Sequence, residues 1–149
     1  MSPATPTELV SALHRFGLER DRLRTALARA LGIGPTDLLA LEHLEEDGTM
    51  SQRSLGDRLL LSSGAVTMLV DRLERAGLVA RVPNPSDRRS TLLELTAPEA
   101  GAADPLGAYH ADVAAAAGRV PASARGALTA FLDVVAVEAA RAVDALTET

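Results

Sequence analysis

Apolar positions along this chain repeat with a helical period over most of its length and switch to strand-like alternation in one place. Leu9, Leu13, Phe16, Leu23, Leu27 and Leu31 recur about every 3.5 residues, which predicts a first helix over residues 7–31. Gly32 and Gly34 are read as its end. Pro35 then starts a second helix, Thr36 to Glu46, with Leu38, Leu41 and Leu44 on its buried side. Asp47-Gly48 marks a turn, and Ser51 can cap a short third helix that reaches Leu59, with Leu55 and Leu59 facing inward. The sharpest two-faced pattern follows, from Ser63 to Ala76. Val66, Leu69, Val70 and Leu73 stand at i, i+3, i+4 and i+7 and form a buried stripe. Gly64, Thr67, Met68, Asp71 and Arg75 fall on the opposite side, with Ser63 and Arg72 at its margins. Gly77 is the expected left-handed stop.

Val79 to Val82 and Ser90 to Leu95 read as two strands, the second alternating Thr91, Leu93 and Leu95 against Leu92 and Glu94. Pro83 and Pro85 are expected to keep the hairpin tip from pairing further. Thr96-Ala97-Pro98-Glu99 has the form of a capping box opening a helix toward Gly118, with a kink or break at Pro105 and Gly107. A last helix, about Pro121 to Leu146, carries Leu128, Phe131, Leu132, Val135, Ala139, Val143 and Leu146. That stripe fits core within one chain and core between two chains equally well. The order is α-α-α-α-β-β-α-α, mainly helical with one small β-hairpin, and without an internal repeat or a long linker.

Composition narrows the chemistry. At 149 residues and 47% hydrophobic content the chain has one domain's length and a sizeable core. Phe16, Phe131 and Tyr109 are the only aromatics, which argues against single-strand or RNA binding by base stacking. Lysine is absent; arginine is the better bidentate partner for guanine and phosphate, although codon bias in a high-GC genome explains the same absence. No cysteine is present, so disulfides, thiolate chemistry and cysteine-ligated zinc are excluded. Residues 1–7 are polar, and no stretch reaches transmembrane length, so the expectation is a cytoplasmic protein without membrane association.

Net charge is −5, but it is segregated. Ser51 to Leu92 holds seven arginines against four carboxylates, a net +3, and the remainder holds eight arginines against sixteen carboxylates, a net −8. A mildly basic centre between acidic flanks suits a DNA-reading segment held by helices that do not touch DNA. The residues there agree: a helix with small polar side chains is followed by a hairpin tipped with arginines, which fits a groove and its flanking phosphates.

Short helix, turn, second helix and hairpin make a winged helix-turn-helix. Leu61-Ser62-Ser63-Gly64-Ala65-Val66-Thr67, Asp71-Arg72-Leu73-Glu74-Arg75-Ala76-Gly77-Leu78-Val79, Arg81-Val82-Pro83-Asn84-Pro85-Ser86-Asp87-Arg88-Arg89 and Leu93-Glu94-Leu95-Thr96 resemble the MarR (multiple antibiotic resistance regulator) family of bacterial transcription factors. The Asp-x-Arg of the tip is the most specific mark. Strong matching covers roughly a third of the chain, and the flanking helices match in pattern only. The resemblance implies a single MarR-like domain over 1–149, with a winged helix-turn-helix lobe at 34–96 and a helical dimerisation region from 7–31 plus 97–147. It implies a homodimer joined by its first and last helices, recognition helices in successive major grooves of double-stranded DNA, wings in the minor grooves, and a small-molecule effector pocket between the dimer helices and the DNA-binding lobe. A ligand-responsive repressor on a pseudo-palindrome is the function that follows.

Each candidate residue has a plainer alternative. Ser62, Ser63 and Thr67 sit where the recognition helix would meet DNA, yet Ser62 or Ser63 can simply cap it. Met68 replaces the polar or arginine residue common in relatives and can touch a thymine methyl. Arg72 and Arg75 can clamp phosphates or pair with Asp71 or Glu74 on their own helix. At the wing, Arg89 is assigned to the minor groove, Arg88 to phosphate and Asp87 to orienting the turn; the alternative is a solvated basic turn. His14, His43 and His110, with Tyr109, fall on helices that line the family's effector pocket, but ordinary histidines satisfy the same pattern, and no metal or cofactor is assigned. No nucleotide loop, nucleophile elbow or metal-ligand spacing is present, so an enzyme is not expected. The competing function is a winged-helix protein-interaction module without DNA binding.

Overall fold

The computed structural model describes residues 5–97, apart from the Arg88 side chain, and residues 105–147. Six helices and one hairpin run in the order α1 (Pro6–Leu31), α2 (Pro35–Asp47), α3 (Gln52–Leu59), α4 (Ser63–Arg75), β1 (Val79–Asn84), β2 (Asp87–Leu95), α5 (Pro105–Gly118) and α6 (Ala122–Thr147). They divide into two compact units, Met1–Pro105 and Leu106–Thr149.

Local chemistry explains the boundaries of the first unit. Thr5 and Glu8 close a capping box at the start of α1, and Gly32 ends it in the left-handed region at φ 68°. Gly34 is not a second stop: it is the N-cap of α2, and its N–H donates to Asp37 Oδ2 at 3.2 Å. Ser51 caps α3 and Ser62 caps α4 through their hydroxyl oxygens. Gly77, at φ 70°, turns the chain out of α4 into β1.

Leu38, Leu55, Leu69, Leu73, Leu93, Val66 and Val70 are fully buried and form the centre of this unit. Burial of each such side chain stabilises by about 1.5–3 kcal/mol, so the stripe of α4 anchors the helix and leaves its other face open. The hairpin is antiparallel and is pinned at its base by a two-way backbone bridge between Met50 and Leu93. It is longer than expected. Pro83 pairs opposite Thr91, and Asn84 opposite Asp87 after a register shift between Pro83 and Asn84. A proline on a two-stranded ribbon can turn its missing donor outward, so it does not stop the ladder.

α5 is described from Pro105 onward, and Gly107 lies inside it, so Gly107 does not break the helix. The Pro98 and Glu99 of the anticipated capping box lie outside the described residues. No side chain of α6 is buried. Leu128 is 42%, Leu132 46% and Leu146 81% exposed, so the unit that holds α6 does not bury its stripe. Leu9, Val10, Phe16 and Leu18 of α1 are likewise exposed.

Candidate nucleic-acid interface

The helix-turn-helix is set by a close approach of α3 and α4. A Cβ on Gly56 would lie 2.9 Å from Val66 Cγ2, so only glycine permits this spacing. Beside the contact a cleft of about 360 Å³ opens between the two helices, lined among others by Gln52, Arg53, Asp57, Ser63 and Thr67.

Hydrogen bonds decide what the exposed face of α4 can offer. Ser62 Oγ accepts the Ala65 N–H at 3.4 Å, which leaves its own O–H as a donor. Thr67 donates its hydroxyl to the Ser63 carbonyl at 2.9 Å, so toward a ligand it presents an acceptor oxygen and a methyl group. Ser63 is exposed at the first helical position, and Met68 is 65% exposed. Ser62 is therefore the cap, and capping leaves it able to donate.

The arginines part company. Arg72 does not pair with Asp71 or Glu74: its Nε and Nη2 donate to Asp37 at 3.2 and 2.6 Å, across to α2. The hydrogen bond to Asp37 pushes the Arg72 guanidinium pKa up, fixing its charge. Asp71 and Glu74 instead take Arg81 of β1, through Nη2 at 2.7 Å and through Nη1 respectively. Hydrogen bonding to Asp71 pushes the Arg81 pKa up as well. Arg75 Nε donates to the Asp71 carbonyl at 3.0 Å. Among the described residues, Arg53, Arg75 and Arg89 of the basic centre form no ion pair with a carboxylate, whereas Arg58, Arg72 and Arg81 do.

The wing tip is built by short polar side chains. Asn84 Oδ1 accepts the Ser86 N–H at 2.9 Å, and Asp87 Oδ1 accepts the Arg89 N–H at 3.0 Å. Ser90 donates to the Asp87 carbonyl and accepts from Asn84 Nδ2. Asp87 thus shapes the turn that carries Arg89, and the Arg89 side chain is exposed.

Three residues escaped the sequence reading. Asp37 and Arg81 are distant in sequence from their partners and left no local signal. Arg53 did leave one: a cation in the first turn of a helix opposes the helix dipole, which hints at another demand on it. The proposed effector residues are spread along the chain. His14 of α1 is exposed and His43 of α2 half-buried. In α5 the Tyr109 and His110 rings lie 5.7 Å apart. None of them lines the α3–α4 cleft. Among the described residues no group of three or more His, Cys, Asp or Glu could hold a metal.

A family model described as the MarR family matches residues 31–90, from the end of α1 to the wing tip. Over 84 residues the chain is also 44% identical to the HTH-type transcriptional regulator YcgE of Bacillus subtilis (strain 168), covering 56% of this chain and 54% of that one. Over these residues the chain is similar to the MarR family. The chain spans about half the length of the curated relatives it matches. It is 37% identical over 65 residues to the HTH-type transcriptional repressor MdtR of Bacillus subtilis (strain 168), 44% of this chain and 42% of that one. The crystal structure of the reduced form of MarR from E. coli superposes with a TM-score of 0.54 at 26% identity, over 90% of this chain and 98% of that one. A winged helix-turn-helix like that of MarR is thus the fold, and the family model spans the candidate site. No helix among the described residues is long and apolar enough to cross a membrane.

Proposed function

We propose that this protein is a ligand-responsive transcriptional regulator, a repressor, that binds pseudo-palindromic double-stranded DNA as a homodimer. The observation that carries the reading is the open face of α4, where Ser62, Ser63, Thr67 and Met68 stand exposed beside cations free of carboxylates. α4 enters the major groove, Ser62 and the helix N-terminus hold a phosphate, and Thr67 and Met68 face base edges. Arg53 and Arg75 take flanking phosphates, Arg88 a phosphate near the wing, and Arg89 the minor groove. Arg72 is left out of the contact set because both prongs of its guanidinium face Asp37.

The exposed apolar faces of α1 and α6 support dimerisation, since two chains must cover what one leaves bare. Two α4 helices then read half-sites roughly 10 bp apart. An effector acts by binding one spacing of the two lobes better than the other; His14, His43, Tyr109 and His110 are its proposed contacts. A chromosomal target places the protein in the cytoplasm. The test is fluorescence anisotropy on DNA from its own promoter and on scrambled DNA across a salt series, after selection from a random pool. Saturable, salt-steep binding to the selected site supports the reading. Failure of both promoter and pool with dimeric, ligand-free protein leaves the protein-interaction module as the better account.

A further inference from the structure

Recognition by α4 and by the wing tip makes no use of the ion-pair cluster between α4 and β1. Arg81 projects from β1 and joins Asp71 and Glu74, which stand one helical turn apart on α4. Its side chain is only 25% exposed, although it belongs to a two-stranded ribbon. Such a ribbon is marginally stable alone and twists readily. At its base the hairpin is held by the Met50–Leu93 bridge and by the Thr96 N–H on the Leu78 carbonyl. Those bonds, together with the buried Val79 and Leu93, fix the base of the ribbon, and the Arg81 fork adds a charged tie between β1 and α4.

We propose that Arg81 is a positioning residue: its fork on Asp71 and Glu74 holds the wing at the angle that lets Arg89 reach the minor groove while α4 occupies the major groove. A planar guanidinium gripping two carboxylates restricts rotation as a point charge cannot. The tip lies about four residues beyond Arg81, or ~13 Å along the strand, so a tilt of ~10° moves it ~2 Å. That displacement breaks a hydrogen bond or ion pair. Arg81 also neutralises two carboxylates that would otherwise face the DNA phosphates, and the two effects must be separated. The inference rests on the DNA-binding reading above.

Asp71→Ala with Glu74→Ala separates them, because it abolishes the fork while removing two negative charges. Anisotropy is read on the DNA selected from a random pool by the wild-type protein and on scrambled DNA, with and without Arg89→Ala. Arg81→Lys, which keeps the charge and loses the fork, is the second variant, and circular dichroism melts confirm folding. Positioning predicts at least a tenfold loss on selected DNA with no loss on scrambled DNA. It also predicts that Arg89→Ala costs the fork-less variants at most half the fold-change it costs wild type. Tighter binding to both DNAs, or an equal Arg89→Ala cost in every background, overturns it. Wild-type protein that binds no DNA defeats the underlying reading instead, and the inference with it.

Discussion

Arg72 of α4 grips Asp37 of α2 with two hydrogen bonds, 3.2 and 2.6 Å long, and that carboxylate is only 4% exposed. The pair is thirty-five residues apart in sequence and ties the recognition helix to the helix beneath it. Asp37 also accepts the Gly34 N–H, so one carboxylate serves a helix start and a tertiary contact. Arg72→Gln leaves the carboxylate short of its charged partner. With the Arg72 side chain 47% exposed, the expected loss is moderate, about 1–3 kcal/mol. Urea denaturation checks it. DNA affinity per folded molecule should stay within threefold of wild type, and a larger fall would return Arg72 to the interface.

Thr67 and Met68 give the major-groove contact a defined polarity. Because the Thr67 proton is committed to the Ser63 carbonyl, Thr67 accepts from a base amine. Thr67→Val, which keeps the shape and loses the acceptor, is expected to cost about 1–3 kcal/mol at one base pair. Replacing thymine by deoxyuracil in the selected site should weaken wild type and leave Met68→Ala unaffected. Equal sensitivity in both proteins would separate Met68 from the thymine methyl.

Removing Arg89 should alter salt dependence as well as affinity. Arg89→Ala is expected to reduce the slope of log K against log salt by about one, as for one lost phosphate-region contact. The penalty should be largest where the flanks are A·T-rich and the minor groove narrow. A slope identical to wild type would place Arg89 away from DNA.

Gly56→Ala sets two effects against each other. Alanine gains up to about 1 kcal/mol of helix propensity, whereas overpacking against a stiff valine costs about 1–3 kcal/mol. The 2.9 Å approach to Val66, itself 2% exposed, makes the cost prevail. Thermal melts should show a destabilised protein, partly rescued when Val66→Ala opens the space. A melting temperature above wild type would mean that α3 and α4 can separate freely.

The start of α1 carries a pH dependence. The Thr5 N–H, and after it the Thr5 hydroxyl, hold the Glu8 carboxyl below its ordinary pKa. A depressed carboxylate stabilises the fold above its unfolded-state pKa, and the contribution disappears as pH falls through the folded-state value. Side-chain NMR should find Glu8 titrating below the ordinary range, and Thr5→Ala should return it only part of the way because the N–H remains. No difference between the two proteins would remove the hydroxyl from the account.

Periodicity placed α1 to α4, α6 and the buried stripe of α4, because a helix repeats its environment every few residues, whereas the hairpin runs further than its alternation indicated. The small polar residues at the start of α4 and the arginines of the wing could be placed on their elements for the same reason. Ser51 and Ser62 as caps belong to that class. The pairing of Arg72 with Asp37, and of Arg81 with Asp71 and Glu74, belongs to another. An arginine side chain reaches several ångströms in any direction, and which carboxylate meets it depends on how helices and hairpin pack. Local spacing pointed to partners one turn away, and the fold supplied partners on other elements. Tertiary structure likewise decided that α6 carries no buried side chain within its unit, since an apolar stripe records that it must be covered and not by what.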